Sequence, residues 1–254
     1  MKRMKFLTVL AAFLFAAVTV PSAFAQGARV VASTSWTAAI ATAGGATDVL
    51  VIAPLDLKHP PEYELKPSDL EAVSGAALVV YSGYEKFAKR LAETSAGAGT
   101  EVLALYTDNL PPVFKREARK VAEKLGTTAA YEAWETGFDA QLEVMKARIG
   151  AAYPDKRAVV HKYLATYAEW LGLEVIGTFG PGELSPSALL TIVKAKPALI
   201  VDNWHNVSGK GIAESLSGAA YVELINFPGK DGTRTIEDVF TYNEKRFLNA
   251  APRR

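Results

Sequence analysis

Cysteine is absent from the 254-residue chain. Stability therefore cannot rest on disulfides, and any metal must be held by nitrogen and oxygen rather than thiolate. The same absence removes the acceptor for a lipid anchor, so an exported form would be free in solution. An excess of either charge is lacking too: 28 Lys and Arg stand against 27 Asp and Glu, a formal net charge of +1. With no basic cluster outside the extreme N-terminus, nothing marks a nucleic-acid footprint. Past residue 25 no apolar run approaches the ~20 residues of a membrane-spanning helix. Catalytic signatures are also missing. There is no Gly-x-Ser-x-Gly elbow, and Gly209-Lys210-Gly211 is only a fragment of a phosphate-binding loop. Histidine is scarce, with three in all: His59, His161 and His205.

What is present is the composition of a globular protein, 50% hydrophobic and 22% charged. Residues 1–25 read as a signal peptide. Lys2, Arg3 and Lys5 form the positive end, Phe6 to Val20 the apolar stretch, and Ala23-Phe24-Ala25 the small-residue cleavage site. Beyond it, short apolar runs such as Val30-Val31-Ala32, Val49-Leu50-Val51-Ile52 and Ala77-Leu78-Val79-Val80-Tyr81 alternate with helical stretches, including one over 85–93. That alternation predicts an α/β layer with a mostly parallel sheet. From Thr128 the apolar positions Tyr131, Trp134, Phe138, Leu142, Met145 and Ile149 recur every three or four residues, the period of one long amphipathic helix. A second α/β alternation follows it. Pro186-Ser187-Ala188-Leu189 leading to Ala198-Leu199-Ile200-Val201 echoes Pro67-Ser68-Asp69-Leu70 leading to Ala77-Leu78-Val79-Val80. The fold expected is α/β, with two similar lobes of mostly parallel sheet joined by one long backbone helix and a ligand cleft between the lobes. The boundaries expected are an N-terminal lobe over 26–127, a linking helix over 128–153 and a C-terminal lobe over 154–254.

Ligands of parallel sheets bind at the carboxyl ends of the strands. Each histidine falls at or just past such an end. His59 follows the run ending near Ile52, His161 closes Ala158-Val159-Val160, and His205 follows Ala198 to Val201 in Asp202-Asn203-Trp204-His205. Neutral imidazole suits zinc and other late divalent cations, and a carboxylate oxygen can fill a further position. His59, His161 and His205 are thus the candidate ligands, with Asp202 and Glu62 as the accompanying carboxylates. Asp202 has a second reading, as acceptor for an imidazole N–H that fixes its tautomer. Trp36, Tyr63, Tyr84 and Trp204 are aromatics able to line such a cleft.

At these residues the chain resembles the zinc/manganese substrate-binding proteins of bacterial ABC transporters, the cluster A-I family. Val30-Val31-Ala32-Ser33 matches its opening strand, Pro61-Glu62-Tyr63-Glu64-Leu65-Lys66-Pro67-Ser68-Asp69 tracks its first histidine loop, and Val159-Val160-His161 with Gly172-Leu173-Glu174-Val175 matches its second half. The departures lie in the ligand set. The family's first histidine falls at Pro61 here, its second near Leu110 beside Asp108 and Asn109, and its late carboxylate at Asn226, while His205 is additional. The resemblance implies a periplasmic, monomeric, non-enzymatic protein that passes a divalent ion to an inner-membrane ABC permease. Zinc is the metal expected, with manganese or another divalent transition metal next. Two alternatives stand beside it: a repurposed binder of a metal chelate or small organic ligand, and, more weakly, a zinc-dependent hydrolase.

Overall fold

The computed structural model describes residues 28–252, so the expected signal peptide lies outside the described residues. In the first half, β1 (Arg29–Ala32), α1 (Ser35–Ala43), β2 (Asp48–Val51), α2 (Pro67–Ser74), β3 (Leu78–Tyr81), α3 (Ala88–Gly97) and β4 (Glu101–Ala104) build one parallel sheet in the order β2-β1-β3-β4. Then come α4 (Pro111–Leu125) and the 25-residue α5 (Thr128–Ala152). The second half runs β5 (Arg157–His161), α6 (Ala165–Trp170), β6 (Glu174–Phe179), α7 (Pro186–Ala195), β7 (Leu199–Asn203), α8 (Lys210–Ser215), β8 (Ala220–Leu224) and α9 (Ile236–Ala250). Its sheet is also all parallel, in the order β6-β5-β7-β8, the same arrangement as the first. The repeated sequence pattern thus corresponds to repeated topology: α2–β3 and α7–β7 occupy equivalent places.

Alternate residues of each buried strand face opposite layers. Val30 and Ala32 point with Leu78 and Val80 into a core that continues through α1, α4, α5 and α9 to Ala158, Val160 and Val201 of the second sheet. Val31 and Val79 point the other way, onto Val73, Phe87 and Leu91, and Val159 and Ile200 face Phe179, Ile192 and Ile212. One core therefore fuses the two lobes on the helix side, and each lobe keeps a small core of its own. Phe240 sits where four helices meet, with edge-on contacts to Phe114, Phe138, Tyr167 and Trp170. Tyr131, Phe138, Leu142, Met145 and Ile149 are the buried face of α5, as their spacing requires.

Local sequence explains where elements begin and end. Ser185 caps α7, accepting from the Ala188 N–H, and Thr235 and Asp238 form a reciprocal cap on α9. α2 starts on Pro67, and the Asp69 carboxylate reaches back to the Lys66 N–H at 2.8 Å while accepting from the Tyr63 hydroxyl at 3.0 Å. Gly126 ends α4 in the left-handed conformation (φ 71°), which costs glycine little. α3 starts three residues later than the pattern over 85–93 suggests. Glu85 is instead turned into the lobe, where its Oε1 accepts from Ser33 Oγ at 2.6 Å and from the Ser82 N–H at 3.1 Å. No described helix is long and apolar enough to cross a membrane.

Candidate functional site

The carboxyl ends of the two sheets face a cavity of about 670 Å³ between the lobes. The first lobe contributes Thr34, Trp36, Lys58, His59, Pro60, Pro61, Tyr84, Thr107, Asp108 and Asn109 to its walls. The second contributes Lys162, Tyr163, Thr166, Asn203, His205, Asn206, Asn226 and Phe227. Direct ties cross the cleft. Ser35 Oγ donates to Pro228 O at 2.8 Å, Asn109 Nδ2 donates to Tyr163 O at 3.3 Å, and Lys58 Nζ lies 5.0 Å from the Trp204 ring centre. The Gly229 backbone (φ 132°) comes so close to Leu55 O that a Cβ there would stand 1.9 Å from it. The loop after β8 is thus pressed against the loop after β2.

His205 is the best-organised donor in this space. A short helical turn over Trp204–Asn206 follows β7, with Asn203 Oδ1 accepting from the His205 N–H at 3.0 Å. The imidazole is buried and stacks on Phe227 (centroids 3.6 Å apart), which stacks in turn on Trp36 (5.5 Å). Burial, reinforced by the nearby Lys58 and His59 and only partly offset by the Asn226 amide, pushes its pKa down to about 3. The ring is therefore neutral at any physiological pH. Its Nδ1 and Asn226 Oδ1 are both buried, and the Asn226 side chain lies within hydrogen-bonding reach of the ring. His59, in the exposed loop before the short helical turn Pro60–Glu62, faces the same cavity.

The other expected ligands are placed differently. His161 is fully buried at the end of β5, outside the cavity lining, with its ring against Phe179 and Tyr163. Its Nδ1 accepts the Tyr163 N–H at 3.2 Å. A neutral ring whose Nδ1 lone pair is used this way carries its proton on Nε2, which is itself buried with no hydrogen-bond partner. Burial also lowers its pKa, against the pull of Asp202. Asp202 is fully buried, and its oxygens already accept from the Asn203, Ser208 and Gly209 N–H groups and from the Tyr221 hydroxyl. It shapes the β7–α8 loop and leaves no oxygen free. Glu62 is exposed and does not line the cavity. Among the described residues no group of three or more His, Asp or Glu side chains is arranged to hold a metal ion. The five expected ligands are therefore not brought together: His59 and His205 share the cleft, and His161, Asp202 and Glu62 do not join them.

Of the aromatics, Trp36 and Tyr84 line the cavity. Tyr63 packs edge-on against Phe87, and Trp204 is held between Lys58 and Lys230. The residues that sequence reasoning passed over are Lys58, Lys162, Asn203 and Asn206 of the walls. Asn226 stands where the resemblance places the family's late carboxylate, and Asn109 beside Leu110, where it places the second histidine.

No family model matches the chain and no curated protein matches it. Solved structures do. The Mn-bound periplasmic metal binding protein of Candidatus Liberibacter asiaticus aligns over 87% of this chain and 98% of its own, at 18% identity and a TM-score of 0.62. The laminin-binding protein Lbp of Streptococcus pyogenes aligns over 89% and 100%, at 20% identity and a TM-score of 0.67. The substrate-binding protein FpvC of P. aeruginosa, in complex with Ni²⁺, aligns over 89% and 97%, at 19% identity and a TM-score of 0.66. The chain has their fold. The two-lobed, all-parallel architecture with its long helix is thus one that metal-binding substrate-binding proteins use, and the cleft described above lies between its lobes.

Proposed function

We propose that the chain is an extracytoplasmic substrate-binding protein that captures a divalent transition-metal ion in the interlobe cleft and hands it to an ABC importer. The observation that carries this reading is the convergence on one cavity of two imidazoles from opposite lobes, buried His205 with the Asn226 side chain beside it and His59 on the other wall. The fold shared with proteins solved holding manganese and nickel supports it. Two imidazoles and an amide oxygen form a borderline donor set, which suits zinc or nickel better than the harder manganese, so zinc remains the metal proposed first. In this reading the protein works as a monomer in the periplasm and turns nothing over. His161 and Asp202 set the shape of the C-terminal wall.

Titration of the purified, chelator-stripped protein with zinc, nickel, manganese, cobalt and copper, followed by calorimetry and metal analysis, tests it. Retention of one ion per chain, supplied alone or with a small organic chelator, is the expected outcome. No retention of any of these ions, alone or complexed, sinks the proposal.

A further inference from the structure

The donor set and the cavity that surrounds it do not match in scale. A bare zinc ion needs about four donors at 2.0–2.3 Å, which enclose a sphere of only ~50 Å³. Here the cavity measures about 670 Å³, within the ~300–1,000 Å³ typical of sites for small organic molecules. Only two imidazoles line it, His59 and His205, since His161 and Asp202 lie outside its walls.

The polar chemistry of the walls points the same way. Sites for free hard or borderline cations draw on carboxylates, yet Asp108 is the one acidic residue among the lining residues, against Lys58 and Lys162. Four asparagines and three threonines, Thr34, Thr107 and Thr166, add uncharged polar groups. An amide offers two N–H donors as well as its oxygen, and donors are of use to a ligand's oxygens but not to a metal ion. The rings of Tyr84 and Tyr163 line the cavity while staying 47% and 49% exposed. Half-bare aromatics inside a cleft are surface that an organic ligand would cover.

We infer that the cleft takes its metal as a preformed anionic chelate, an ion already wrapped by a small organic acid of the hydroxycarboxylate or catecholate class. His205 and His59 complete the coordination. Lys58 and Lys162 pair with the chelator's negative charge, the asparagines bind its oxygens and the tyrosines cover its carbon skeleton. The same lysines repel a bare dication and so select against it. This inference rests on the proposed metal-delivery function.

The test is calorimetry of the full mature chain with zinc alone, nickel alone, each metal with citrate, each with 2,3-dihydroxybenzoate, and each chelator without metal. The expected result is binding of at least one complex that is tenfold or more tighter than that of the same metal alone or the same chelator alone. Lys58→Ala/Lys162→Ala should weaken the complex by about tenfold or more, with an unchanged circular dichroism spectrum. Bare metal binding as tightly as its complexes overturns the chelate and leaves metal delivery standing. A metal-free chelator binding as tightly as its complex overturns both readings, as does no binding by any probe. Unaltered complex binding by the double lysine variant overturns the chelate.

Discussion

The two buried histidines of the second lobe differ in where they stand: His205 lines the cavity and His161 does not. His161 receives the Tyr163 amide on Nδ1 and keeps a buried Nε2 with no partner, while His205 has the Asn226 side chain beside its buried ring. His205→Ala should therefore lower affinity for the metal or its complex by at least about 10–100-fold, the range seen when even a supporting partner of a metal ligand is lost. His161→Phe should change affinity by less than tenfold, or about 1.4 kcal/mol. Calorimetry on the two variants separates them, and the reverse ranking would restore His161 as the ligand. This was the part of the site least legible in the sequence. Spacing and strand ends placed all three histidines correctly in the fold, but which nitrogen is free depends on the path of the backbone at Tyr163. The four N–H and O–H groups that converge on Asp202, from as far along the chain as Tyr221, were equally invisible.

At the scale of elements the sequence was far more legible, because periodicity is a local property. The 3.6-residue pattern from Tyr131 to Ile149 became α5, and the apolar runs became strands within a residue or two. The displaced start of α3 is instructive. Glu85 continues a helical pattern on paper, but Ser33 and the Ser82 amide, a strand away and next door, claim its carboxylate. α5 also contains the clearest local weakness. Gly137 lies mid-helix on the exposed side, and an added Cβ would meet nothing within 4 Å. Gly137→Ala should therefore stabilise the protein by about 1 kcal/mol through backbone entropy alone, raising Tm by ~2–4 °C for a chain of this size. Differential scanning calorimetry would show it. A fall in Tm would mean that the helix needs to bend at that point.

On the scale of the whole molecule, both lobes share one core on the helix side and are stitched across the cleft by Ser35, Asn109 and Lys58. Stability and binding are thus properties of one body, and the buried neutral histidines tie both to pH. In the unfolded chain each imidazole has a pKa near 6.5, but burial lowers it in the fold, to about 3 for His205 and in the same direction for His161. Above pH 6.5 both rings are neutral in either state and cost nothing. Below 6.5 the unfolded chain takes up protons that the folded protein refuses, so stability falls as pH falls, by about 1.4 kcal/mol per unit for His205, with His161 acting in the same direction. For His205 the loss continues down to about pH 3. Urea unfolding of the metal-free protein at pH 7.5, 6.5, 5.5 and 4.5 should therefore give a nearly flat upper segment and a fall of about 2 kcal/mol or more between 6.5 and 4.5. His205→Asn should flatten that fall by removing its steepest contributor. An unchanged slope in that variant would mean that the ring is solvated, and with it would go the buried imidazole on which the metal site depends.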